Sequence, residues 1–130
     1  MKVRTIVLVV EDDIITRRFY EELLKLIDGI EVYIKGRVQE AQELLPELLE
    51  SGRRVIALID GNINGVPGEE LALQMRQMWQ EGDKSRLLTI IACVGGIDLP
   101  TWGDEGCNLN KSSGQKQIVA CICLQLMQTA

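Results

Sequence analysis

Ile6-Val7-Leu8-Val9-Val10-Glu11-Asp12-Asp13 is the stretch on which the fold turns. Five consecutive apolar residues, mostly β-branched, suit a strand that meets protein on both sides of its pleat. The run then stops abruptly at three acids. Beyond it, Ile15, Phe19, Leu23 and Leu26 recur on one face of a predicted helix, with Gly29 placed to stop it. Residues 30–34 alternate like a strand with one less buried face. Val38, Ala41, Leu45, Leu48 and Leu49 mark a second amphipathic helix that closes near Ser51-Gly52, with Pro46 inside it expected to kink it or shift its start. Residues 55–59 are again wholly apolar and run into Asp60, and 61–68 read as a loop. A third helix opens at Pro67-Gly68-Glu69-Glu70, turns Leu71, Met75, Met78 and Trp79 inward as core, and ends at Glu81-Gly82-Asp83. Residues 87–94 form a fourth buried strand. Residues 95–106, with several Gly and a Pro, are too broken for a normal helix; residues 107–110 form a short fifth strand. Ser112-Ser113-Gly114-Gln115 fits a capping box for a last helix over about 113–127.

Strands alternating with helices predict an α/β fold: a doubly wound parallel sheet with helices on both faces, as one unit over residues 1–130. Composition agrees. The chain has 130 residues, 46% hydrophobic and 25% charged, which excludes disordered and fibrous classes. Fourteen Lys and Arg against nineteen Asp and Glu give a formal net charge of −5. That balance argues against direct nucleic-acid or anionic-membrane binding, which needs a basic face. The absence of His excludes Ser-His-Asp chemistry, His metal sites and phosphohistidine carriers. Cys93, Cys107, Cys121 and Cys123 form no C-x-x-C pair and sit among apolar residues, so they read as buried free thiols of a reducing, cytoplasmic setting. No stretch is apolar for long enough to span a bilayer, and the N-terminus lacks the layout of a secretory signal.

In a doubly wound sheet, ligands bind beyond the carboxyl ends of the strands. Glu11, Asp12 and Asp13 end the first strand, Asp60 ends the third, and Lys111 follows the fifth. If the first and third strands are neighbours, their carboxylates converge, and carboxylates that crowd together invite a cation. An oxygen-only set suits a hard ion, Mg²⁺ above others. Each residue alone also has a plainer reading. Asp12 or Asp13 is equally suited to capping the first helix, Asp60 to forming a turn, and Lys111 to a solvated surface. The conjunction at three strand ends is what carries weight.

The pattern resembles the receiver domain of two-component response regulators, of the chemotaxis-regulator type. The matching residues are Val7-Leu8-Val9-Val10-Glu11-Asp12-Asp13, then Ala57-Leu58-Ile59-Asp60-Gly61-Asn62-Ile63-Asn64-Gly65, and Asn110-Lys111, spanning roughly residues 3–127. The resemblance implies a flavodoxin-like five-stranded parallel sheet in the order 2-1-3-4-5 with five helices. It implies Asp60 as phosphoacceptor, with Mg²⁺ held by Glu11, Asp12, Asp60 and the main-chain carbonyl of Asn62. It also implies that Lys111 contacts the phosphoryl group. The phosphodonor would be a histidine kinase or a phosphotransfer protein, and the chain would be no enzyme beyond transfer to its own Asp60.

The chain departs from the family at its switch positions. The end of the fourth strand carries Val94, or Cys93 in a slipped register, where a Thr or Ser is usual. Asn108 replaces the usual aromatic, Ser112 the usual Pro, and the fourth helix region is shortened. The main-chain N–H groups of Gly61 and Gly95 are expected to hold phosphoryl oxygens, and output to pass through 95–106 or the last helix. That helix is apolar nearly all round over residues 118–124 and so hints at a homodimer or partner surface. Trp102 reads either as an exposed anchor or as a cover over the sheet edge. Two rival readings stand beside the phosphoacceptor. One is a pseudo-receiver that binds partners independently of phosphate. The other is a small Asp-nucleophile phosphatase, disfavoured because Asn62 stands where a second Asp is needed and no substrate cap is present. Residues 1–130 show no output domain, which fits a stand-alone regulator or a module excised from a longer chain.

Overall fold

The computed structural model describes residues 3–96 and 98–128, with the backbone alone at Ser113 and Gln115. Five parallel strands build the sheet: β1 (Thr5–Val10), β2 (Ile30–Lys35), β3 (Val55–Asp60), β6 (Leu88–Val94) and β7 (Asn108–Asn110). Their order is β2-β1-β3-β6-β7, which is the expected 2-1-3-4-5 order once the small strands β4 (Asn62–Ile63) and β5 (Val66–Pro67) are set aside. β3 is buried throughout and β1 from Ile6 onward, because helices cover both faces. On one face α2 (Val38–Glu50) and α3 (Gly68–Glu81) pack Ala41, Leu45, Leu48, Leu71, Met75 and Trp79 onto Ile6, Leu8, Ala57 and Ile59. On the other, α1 (Ile14–Leu24) and α4 (Gln115–Met127) pack Tyr20, Leu24, Ile118 and Ile122 onto Val7, Val9, Leu58 and Ile91.

Several expectations need correction. The first helix is shorter and rotated. It ends at Leu24 in two tightened turns, Leu26 N–H to Leu23 and Ile27 N–H to Leu24, well before Gly29. It buries Tyr20 and Leu24, with Phe19 and Leu23 half-buried, and leaves Ile15 76% and Leu26 81% exposed. The second helix runs unbroken through the exposed Pro46. The loop at 61–68 is a hairpin, in which Asn64 (φ 53°) and Gly65 (φ 85°) form the two-residue turn. An Asn-Gly pair serves there because both positions need φ above zero.

The expected cap at Ser112 also differs. α4 is capped by Gly114, while Lys111–Ser113 form a 3-10 turn in which the Ser112 hydroxyl donates to Asn110 Oδ1 at 2.7 Å. The Gln115 half of the capping box lies outside the described side chains.

No helix occurs among the described residues of 95–106, so four α-helices stand where the family implies five. The segment is nevertheless tied down. Arg76 of α3 donates to the Trp102 carbonyl and to Asp104, and Asp104 N–H donates to the Ile90 carbonyl. Trp102 packs half-buried against the α2/α3 core and so serves as a cover.

Candidate functional site

The three acids after β1 divide their work. Glu11 extends the β1–β2 ladder by one residue, donating its N–H to the Lys35 carbonyl at 3.0 Å, and its side chain is consequently buried. Asp13 caps α1: its Oδ2 accepts from Thr16 N–H at 2.9 Å and from the Thr16 hydroxyl at 2.6 Å. Those bonds hold the Asp13 carboxyl below its ordinary range. Asp12, between them, is left for the site. Asp60 is the last residue of β3, paired with Cys93 and 7% exposed, so it is a strand residue while Asn64-Gly65 make the turn.

Lys111 follows β7 directly and reaches across the strand ends. Its Nζ lies 3.0 Å from Glu11 Oε1 and 3.1 Å from Asp60 Oδ2. Asn110 fixes the turn that delivers it, accepting from Ser112 N–H and hydroxyl and donating to the Gly96 carbonyl. Burial opposes the ammonium, but the bonds to Glu11 and Asp60 outweigh it and raise the Lys111 pKa. Burial also pushes Glu11 from 4.5 to about 7, against the lowering effect of the bonds from Asp13 N–H and Lys111. Asp12 is held below its ordinary value, chiefly by the N–H of Asn64, which donates to its Oδ2 at 2.8 Å.

One oxygen each from Glu11, Asp12 and Asp60 lie within 4.8 Å of one another. Three carboxylates against one ammonium leave an excess of negative charge that a divalent cation would offset. The donor set is all oxygen, which fits Mg²⁺. The sequence reading adds the carbonyl of Asn62, the first residue of β4, to this set. Gly61 and Gly68 bond across the hairpin (3.0 Å), and Asn62 opposite Pro67 falls on the alternate, unbonded pair. The ladder therefore does not use its carbonyl.

The positions expected to lack switch residues are also placed. Val94 packs over the residue after Asp60: a Cβ on Gly61 would fall 2.4 Å from Val94 Cγ1. Asn108 is committed elsewhere, accepting from Gly103 N–H at 2.7 Å and donating to the Gly103 and Asp104 carbonyls. The Gly61 N–H, expected to be available to a phosphoryl oxygen, already donates to the Cys93 carbonyl at 3.3 Å. Sequence reasoning missed two participants: Arg17, whose guanidinium bonds the Glu11 and Asp12 carbonyls, and Asn64, whose N–H donates to Asp12. The Asn64-Gly65 dipeptide was the signal that could have revealed the hairpin and its donor.

No family model matches the sequence, and no curated protein matches it. Solved structures do. A response regulator receiver domain protein (CheY-like) from Methanospirillum hungatei superposes with a TM-score of 0.70 at 16% identity, over 96% of this chain and 95% of that one. A two-component response regulator from Cytophaga hutchinsonii gives 0.68 at 21%, over 98% and 100%. A mutant receiver domain of a histidine kinase from Arabidopsis thaliana gives 0.68 at 22%, over 98% and 93%. The chain therefore has the receiver fold, a five-stranded parallel sheet flanked by helices. No helix among the described residues is long and apolar enough to cross a membrane.

Proposed function

We propose that this chain is a phosphoacceptor module of a two-component signalling system, taking a phosphoryl group on Asp60 in a Mg²⁺-dependent reaction. The observation that supports this best is the Lys111 ammonium set between Glu11 and Asp60, at the carboxyl ends of three strands of a receiver fold. In this reading a carboxylate oxygen of Asp60 attacks phosphorus in line, the donor's bond to phosphorus breaks, and an acyl phosphate forms. Lys111 would stay beside the transferred group and offset charge on its oxygens. Glu11, Asp12, Asp60 and the Asn62 carbonyl would hold the cation. When bound, Mg²⁺ would neutralise charge developing on the phosphoryl oxygens. The donor would be a histidine kinase or phosphotransfer protein, and the chain would turn over no external substrate. Its place would be cytoplasmic, and a partner or second copy would meet α4, where Leu124 and Met127 stay exposed.

A second reading, the phosphate-independent interaction module, is favoured by Val94 and by the commitment of Asn108 to Gly103. The two readings separate on incubation with acetyl phosphate and Mg²⁺ followed by intact-mass analysis. The phosphoacceptor reading expects one added phosphoryl group, absent without Mg²⁺ and absent in Asp60→Asn. An unmodified wild-type chain, or label that survives Asp60→Asn, refutes it.

A further inference from the structure

We propose that Arg17 is a positioning residue for the cation site, seated by Gly36 and closed into a ring by Asn64. The proposal rests on the reading of Glu11, Asp12 and Asp60 as a cation site. Arg17 Nη1 donates to the main-chain carbonyls of Asp12 at 2.9 Å and Glu11 at 3.1 Å. Its guanidinium lies against Gly36, where a Cβ would fall 2.4 Å from Nη1 and 3.0 Å from Cζ. The Gly36 carbonyl accepts from Asn64 Nδ2 at 3.1 Å, and Asn64 N–H donates to Asp12 Oδ2 at 2.8 Å.

Asp12, Arg17, Gly36 and Asn64 thus form a closed ring, drawn from the β1–α1 turn, α1, the β2–α2 turn and the β4–β5 turn. Asp12 is the ring's one carboxylate. Its main chain and one of its carboxylate oxygens are both fixed, so the remaining freedom of its carboxyl group is small before any cation arrives. Groups that orient a ligand from behind in this way typically change metal affinity about 10- to 100-fold when removed. A guanidinium suits the task because one planar head can serve two carbonyls, which a lysine ammonium on a looser stem does less well.

Gly36 supplies a test that spares the arginine. Its φ is not in the left-handed region, so its backbone accepts alanine. The three atoms nearest the added methyl all belong to the far end of the Arg17 side chain, which it would push off the two carbonyls. Mg²⁺ affinity of the full chain, read from amide shifts, is to be compared across wild type, Arg17→Ala, Arg17→Lys, Gly36→Ala and the Gly36→Ala/Arg17→Ala pair. Metal-free melting temperatures are recorded alongside.

The half-saturating Mg²⁺ concentration is expected to rise about tenfold in Arg17→Ala and Gly36→Ala. Arg17→Lys is expected to fall between these and wild type. The double variant is expected to be no worse than Arg17→Ala, because both changes remove the same contact. Should Arg17→Ala fail to fold, Gly36→Ala and Arg17→Lys carry the comparison. Wild-type binding with unchanged affinity in Gly36→Ala and Arg17→Lys overturns the positioning role alone. So does additive loss in the double variant, or weakening that merely tracks the metal-free melting temperature. A wild-type chain indifferent to Mg²⁺ overturns the cation reading, and this one with it.

Discussion

At the scale of single residues, Glu11 is the group whose chemistry the fold alters most usefully. Burial beside Asp60 raises it from 4.5 to about 7, so the folded chain holds its proton more tightly than the unfolded chain does. Its contribution to stability is therefore full below pH 4.5 and lost as pH rises through about 7. At 1.36 kcal/mol for each pKa unit, the loss is about 3 kcal/mol. Asp12 and Asp13, both held below their ordinary 3.8, act oppositely: what they add is present at neutral pH and lost on acidification. Urea unfolding at pH 5 and pH 8 should show Glu11→Gln removing up to about 3 kcal/mol of the wild-type decline over that interval. Identical declines in the two proteins would show that Glu11 is not the titrating group. The sequence showed three acids together but not their division of labour, because Asp serves equally as a helix cap and as a ligand. What decides it is one further ladder bond beyond Val10, from Glu11 N–H to Lys35.

At the scale of elements, strands were more legible than helix faces. An unbroken apolar run admits little besides a buried strand, and β1, β3 and β6 lie where those runs are. The face of α1 was misread because an apolar stripe leaves the helix free to rotate, and here a polar contact fixes the rotation. Arg17, bonded to the Glu11 and Asp12 carbonyls, shares a face with Tyr20 and Leu24, and that face is the one that turns inward. The hairpin at 62–67 was hidden for a different reason, since its strands are too short to show alternation.

The turn from β3 into α3 depends on Gly68 in a way the sequence does not reveal. A Cβ there would fall 1.9 Å from the Asp60 carbonyl oxygen, a backbone atom that cannot step aside cheaply. Gly68→Ala is expected to cost about 1–3 kcal/mol in urea unfolding, as forced overpacking does, and to lower Asp60 phosphorylation with it. Unchanged stability would mean that β3 and α3 separate more easily than their packing indicates.

At the scale of the whole molecule, the sheet order and the convergence of strand ends followed from alternation and handedness, together with the family resemblance. What they could not supply was the fate of residues 95–106. Composition showed only that a long helix was unfavourable there. The segment's anchoring by Arg76, Asn108 and Asn110 depends on side chains far apart in sequence. On the proposed phosphoacceptor reading, this anchoring bears on how far a group at Asp60 is felt. Val94 has no hydroxyl to bond a phosphoryl oxygen, and Asn108 is already held by Gly103. A group added at Asp60 would therefore find little differential interaction with which to shift β7 and α4, and an equilibrium moves only by that difference.

The most direct measurement is an amide-shift comparison with and without beryllofluoride, which mimics an acyl phosphate, in the presence of Mg²⁺. Large shifts are expected at residues 11–13, 60–62 and 111, dependent on Mg²⁺ and lost in Asp60→Asn, with much smaller shifts over 107–110 and 115–120. Silence at residues 60–62 would contradict Asp60 as the phosphoacceptor, and shifts over 107–110 and 115–120 equal to those around Asp60 would contradict weak coupling of Asp60 to β7 and α4.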